Sequence, residues 1–144
     1  MPDAGRVVTG LAGGLRLEAP GSGTRPLSDK VKQALFSMVE AEREDVWEQP
    51  MLDLFAGSGA AGIEALSRGA PAAVLVEKDG RAAGVIRRNL ERTRLAADAT
   101  VVRKDVLGWL AAAPAAPAPF GCVVLDPPYP QVADLLAALE RLGD

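Results

Sequence analysis

The sequence contains no histidine and a single cysteine. The first absence excludes a histidine general base, a Ser-His-Asp triad and any histidine-ligated zinc. The second excludes an internal disulfide and a Cys-x-x-Cys motif. No apolar run approaches the roughly 20 residues of a membrane-spanning helix. Residues 1–20 lack the charged start and long apolar block of a secretory signal. The expected compartment is therefore the cytoplasm, with no membrane partner. A basic excess is missing too. The net charge is −3, which argues against a general polyanion binder but leaves room for a local basic face.

What is present is enough apolar material, 49% of 144 residues, to build a core for one domain. Arg6-Val7-Val8-Thr9 and Leu15-Arg16-Leu17 predict two short strands around Gly13-Gly14, a hairpin. Residues 18–27 read as a Gly/Pro/Ser-rich loop. Ser28 or Asp29 caps a helix to about Ala41, with Val31, Ala34, Leu35, Met38 and Val39 on its apolar stripe. Strands and helices then alternate. Strands are predicted at 51–55, 72–76, 99–102 and 122–125, with helices ending at Gly69, starting at Asp79, over 106–112 and over 131–142. Residues 113–119 form an Ala/Pro linker. The lone Cys122 lies in the apolar run Cys122-Val123-Val124-Leu125 and reads as core.

This alternation predicts a Rossmann-like α/β fold, a mostly parallel sheet with helices on both faces. The expected organisation is an N-terminal hairpin and loop extension over 1–27 and a Rossmann-like domain over 28–144. A sheet of this class needs further strands after the fourth, so C-terminal strands are expected to be missing, leaving an exposed edge. Ligands of such sheets bind beyond the carboxyl ends of the strands. Four polar motifs fall there and are expected to share one rim: Asp53 to Gly59, Glu77, Asp105 and Asp126.

Each motif has a chemistry. In Asp53-Leu54-Phe55-Ala56-Gly57-Ser58-Gly59 the glycines permit a tight turn and close approach to a ligand. With Gly62 they also satisfy G-x-G-x-x-G, which equally fits a dinucleotide or a plain strand-to-helix turn. Glu77, ending a strand, can accept hydrogen bonds from both ribose hydroxyls. Asp105 can accept from an adenine amine while the Val106 amide donates to a ring nitrogen, or Asp105 can simply cap a helix. Asp126-Pro127-Pro128-Tyr129 decides the reaction class. Its prolines stiffen the loop and remove two N–H donors, leaving carbonyls as acceptors. Such acceptors, with the Asp126 carboxylate, can hold both hydrogens of an exocyclic amine, and Tyr129 can stack on the extruded base. The amine lone pair is conjugated into its ring and weak, so acceptors on its hydrogens strengthen it and aim it. A pyrimidine-C5 methylase instead needs a thiolate, and Cys122 is poorly placed for that. Basic residues lie at the N-terminal end (Arg6, Arg16, Arg25) and on the third helix (Arg88, Arg92). They read as phosphate contacts or as ordinary solvated faces.

At Thr24-Arg25-Pro26, Ala34-Leu35-Phe36, Leu52 to Gly59, Glu64 to Ala70 and Asp126 to Tyr129, the sequence resembles the RsmD-type methylases over nearly its whole length. The resemblance implies a class I methyltransferase fold with an N-terminal extension. It implies methyl transfer from S-adenosylmethionine to N2 of a guanine in 16S ribosomal RNA, with S-adenosylhomocysteine as product and no metal. It further implies that Asp53, Phe55, Ala56, Gly57, Ser58, Gly59, Glu77 and Lys78 line the cofactor site. Asp105 and Val106 would hold adenine, Asp126 to Tyr129 the guanine, and the hairpin would grip ribosomal RNA or the small ribosomal subunit. A monomer is expected. Three alternatives stay open on sequence: a DNA adenine-N6 methylase using the same loop, a nucleotide-dependent oxidoreductase, and a non-catalytic RNA-binding fragment.

Overall fold

The computed structural model describes residues 3–21, 28–112 and 120–127. Arg25, the expected linker 113–119, Pro128, Tyr129 and the expected helix 131–142 lie outside the described residues.

Strands β1 (Asp3–Arg6) and β2 (Arg16–Glu18) form the expected antiparallel hairpin, but β1 precedes the Arg6–Thr9 stretch predicted for it. The cause is a competing acceptor. Val8 and Thr9 donate their N–H groups to the carboxylate of Glu64, at 2.8 and 3.2 Å, and not to a partner strand.

Helix α1 (Asp29–Glu42) starts at Ser28, whose hydroxyl accepts from the Val31 N–H at 3.2 Å. The expected apolar stripe is not its buried face. Lys32 and Phe36 are buried, while Val31 and Met38 are 52% and 64% exposed. The partners across the interface explain this. Lys32 lies 4.0 Å from the Glu64 carboxylate and donates to the Arg6 carbonyl, and the Arg68 guanidinium sits 5.3 Å over the Phe36 ring. Leu35 and Val39 instead line a cavity of about 320 Å³ beside the last strand.

Four parallel strands follow: β3 (Met51–Leu54), β4 (Ala73–Glu77), β5 (Ala99–Arg103) and β6 (Cys122–Leu125), in the order β5-β4-β3-β6. Helices α2 (Ala60–Arg68), α3 (Gly80–Thr93) and α4 (Val106–Ala112) connect them. Strand alternation builds two cores. Met51, Ala73 and Leu75 pack on one face with the hairpin, Phe36, Ile63 and Ile86. Leu52, Leu54 and Val76 pack on the other with Val106 and Trp109. The hairpin's Ala4, Val7, Ala12 and Leu17 belong to the first core, so the extension is packed into the domain. Among the described strands β6 pairs only with β3, and its residues are partly exposed. Cys122, expected in the core, is therefore half-buried, packed against the core from the edge. No helix among the described residues is long and apolar enough to cross a membrane.

The chain runs outward from β3 to β5, then returns to β6 on the other side of β3. In sheets of this kind ligands bind at such a reversal, beyond the carboxyl ends of the strands, here β3 and β6. Both the loop of residues 55–59 and Asp126 follow strand ends there.

Candidate active site

Strand β3 stops at Leu54 because the next residue, Phe55, has a φ of 59°, a left-handed conformation uncommon for a side chain-bearing residue. Gly57 and Gly59 follow at φ 60° and 83°. The glycines serve different ends. A Cβ on Gly57 would meet nothing within 4 Å, so its backbone faces open space that another molecule can enter. A Cβ on Gly62 would come 2.7 Å from the Leu75 side chain, so this glycine lets α2 lie close on β4. The loop then opens α2, with the Ser58 hydroxyl accepting from the Ala60 N–H at 3.3 Å.

Glu77 ends β4 beside this loop. One carboxylate oxygen accepts from the Gly57 N–H at 2.9 Å and the other from the Asp79 N–H at 3.0 Å. Two bonds leave lone pairs free on a carboxylate and hold it in one orientation. Asp105 caps α4: its side chain accepts from the Gly108 N–H at 3.4 Å and its carbonyl from the Trp109 N–H at 2.9 Å. Lys78 is exposed and Val106 is buried.

Asp53 departs from its expected place on the rim. It shares the face of Met51, under α2, and is buried, with its carboxylate accepting from the Gly62 N–H at 3.0 Å. Burial raises its pKa from 3.8 to about 8, against the Gly62 hydrogen bond, and the charges of Asp126 and Glu77 push the same way. Three acids separated in sequence thus share one electrostatic environment. The half-buried Cys122 thiol is pushed up as well, first by burial and then by Asp53, which disfavours a thiolate.

The folded protein holds the Asp53 proton more tightly than the unfolded chain does. Its contribution to stability is complete below the unfolded value of 3.8 and is lost as pH rises toward about 8. Asp53→Asn keeps an acceptor for the Gly62 amide and removes the ionisation. Urea unfolding is expected to find this variant more stable than the parent at pH 8, with the advantage gone by pH 4. An unchanged pH dependence would contradict a buried, raised carboxyl.

Of the basic residues expected at phosphates, Arg6 and Arg16 are exposed on the hairpin. Arg88 pairs with Glu18, and Arg92 donates to the Arg16 carbonyl at 3.5 Å. Both α3 arginines therefore brace the hairpin. Lys32, which the sequence groups with the N-terminal basic residues as a phosphate contact or solvated charge, is instead fully buried against Glu64, and the buried Asn89 carries no signal beyond its place on an otherwise apolar helix face. No cluster of three or more metal-ligating side chains occurs among the described residues.

The model of a family described as conserved hypothetical protein 95 matches residues 5–144. The chain belongs to that family. YlbH of Bacillus subtilis is 41% identical over 125 residues, 86% of this chain and 66% of its own length. Ribosomal RNA small subunit methyltransferase D of Escherichia coli K12 is 38% identical over 125 residues, 86% of this chain and 60% of its own length. The chain thus spans about two thirds or less of these family members. A solved structure from Thermus thermophilus superposes with a TM-score of 0.84 at 37% identity, covering 96% of this chain and 78% of that one. The fold of this family member is the Rossmann-like methyltransferase fold, with the N-terminal hairpin added.

Proposed function

We propose that the chain is an S-adenosylmethionine-dependent methyltransferase acting on the exocyclic N2 amine of a guanine in small-subunit ribosomal RNA. The observation that carries this reading is the placement of three motifs at neighbouring strand ends. An open glycine loop, a ribose-ready carboxylate at Glu77 and the acidic loop at Asp126 meet where the strand order reverses.

The residues present fit the cofactor. The strained Phe55, Ala56 and the Gly57-Ser58-Gly59 backbone form the wall, open at Gly57, while Asp53 supports it from beneath through the Gly62 amide and Lys78 lies exposed next to Glu77 in sequence. Glu77 retains acceptor capacity for ribose hydroxyls, and Asp105 with the Val106 amide suits an adenine edge. S-adenosylmethionine supplies an electrophilic methyl on a sulfonium that is already a good leaving group. Asp126 accepts a hydrogen bond from the amine, which raises the electron density on nitrogen and fixes its direction of attack; as the N–CH3 bond forms the S–CH3 bond breaks to the neutral thioether, and the surplus amine proton leaves through that carboxylate to solvent. What remains is proximity, which the neighbouring strand ends provide by holding both partners on one rim.

The ribosomal substrate rests on the name of the Escherichia coli relative and on the exposed Arg6 and Arg16, which suit RNA phosphates. The small ribosomal subunit or its RNA is the proposed partner. Calorimetric titration tests the cofactor. The protein is expected to bind S-adenosylmethionine and S-adenosylhomocysteine and to ignore NAD, which the glycine geometry alone would accept. Glu77→Ala is expected to weaken binding by about 10- to 100-fold, the worth of roughly 1.5–3 kcal/mol for hydrogen bonds to a charged group. Binding of NAD without S-adenosylmethionine would overturn the proposal.

A further inference from the structure

Helix α3 presents Ala82, Ala83, Val85, Ile86 and Leu90 to the core, and in the middle of that apolar face stands Asn89, fully buried. A buried amide is tolerated where its hydrogen bonds are met, and this one meets three. Its Oδ1 accepts from the Glu18 N–H at 2.8 Å, and its Nδ2 donates to the Glu18 carbonyl at 2.9 Å. The same Nδ2 donates to the Ser58 carbonyl, also at 2.9 Å. Asn89 therefore holds both backbone groups of the last residue of β2 and a carbonyl of the glycine loop. That carbonyl sits between Gly57 and Gly59, both at positive φ, so the bond fixes the turn of the most conformationally free part of the loop. Neighbouring Arg88 adds a second tie to Glu18 through its side chain. The distances in sequence are 71 residues to Glu18 and 31 to Ser58, so no local requirement of the helix explains the pair.

We infer that Asn89 is a positioning residue that couples the N-terminal hairpin to the cofactor loop, so that ligand binding at the loop steadies the end of β2 and the hairpin in turn sets cofactor affinity. The inference rests on the proposed cofactor and adds the link to the hairpin. Coupling between sites is reciprocal, so one experiment can read it from both ends.

Hydrogen exchange of the whole chain is followed over residues 16–21 with and without saturating S-adenosylmethionine, alongside calorimetric affinity. In the unsubstituted protein the cofactor is expected to slow exchange of the Glu18 amide, whose N–H is the one held by Asn89. In Asn89→Ala that response is lost and the dissociation constant rises about tenfold. A residue that only supports the fold would lower the melting temperature and leave the affinity and the exchange response intact, which overturns the coupling. An unresponsive Glu18 amide in the unsubstituted protein overturns it as well, and this arm stands even where the variant fails to fold. A protein that binds no S-adenosylmethionine overturns the cofactor assignment and the coupling together. Normal binding with no exchange response removes the coupling alone.

Discussion

Asp126→Ala is expected to lower methyl transfer by about a thousandfold or more, with the affinity for S-adenosylmethionine changed by less than about threefold. The size follows from the weakness of the nucleophile. An exocyclic amine attacks only when its lone pair is released from the ring, and a positioned group that meets charge as it develops is worth about 10²–10³ in rate. Loss of orientation adds to this, since small displacements of a reacting pair are costly. Asp126 stands exposed just past the end of β6, apart from the Glu77 and Gly57 contacts that shape the cofactor wall. The substitution has an internal control. The charge of Asp126 helps raise the pKa of buried Asp53, so its removal is expected to ease the burial of that carboxyl, and a melting curve of the variant checks that it is folded. A variant that is folded, binds cofactor and is inert matches the assignment. One that turns over at the parent rate removes Asp126 from the chemistry.

Glu64→Ala is expected to cost about 3–5 kcal/mol of stability, the range for removing one member of a buried ion pair. Glu64 is fully buried on α2, yet four groups converge on it. Val8 and Thr9 give it their N–H groups, Arg68 donates to it at 2.8 Å, and the wholly buried Lys32 lies 4.0 Å away. Lys32 in turn donates to the Arg6 carbonyl and faces Asp29. Burial already lowers the Lys32 pKa, and Glu64 is the largest influence opposing that fall. Truncation leaves two backbone donors unpaired and strips the buried Lys32 of its buried carboxylate, leaving it only the partly exposed Asp29. Glu64→Gln keeps an acceptor for the hairpin amides and should cost less than the alanine change. Urea unfolding of both variants measures this, and an alanine cost below about 1 kcal/mol would show that the cluster does not hold the hairpin in place.

These two residues show what can be read in the sequence. Asp126 is legible because its chemistry is local: a strand, an acid and two prolines in succession. The β/α alternation is legible for the same reason, and Ser28, Gly69 and Asp79 all sit at helix ends as their types predict. Glu64 belongs to a segment that marks the family, but its role depends on Lys32, Val8 and Thr9, all remote from it along the chain. Long-range polar anchors also explain the misread face of α1. Periodicity ranks lysine as a surface residue, and only a buried carboxylate opposite reverses that ranking. Asp53 fails in the other direction. It lies one residue before a strand end, where an acid reads as a ligand-facing group. Strand alternation places it beneath α2 on the Gly62 amide instead. Asn89 gives no local sign, since nothing within one helix shows which backbone a buried amide will meet.

Methyl transfer to a ribosomal guanine is directly measurable. Small ribosomal subunits lacking this methyl group are incubated with the purified chain and S-adenosylmethionine, and the ribosomal RNA is digested and its nucleosides resolved by mass spectrometry. The predicted result is one new N2-methylguanosine per 16S RNA, absent without the protein and absent with Asp126→Ala. Methylation of adenine, of DNA alone, or of nothing while cofactor is bound would contradict it.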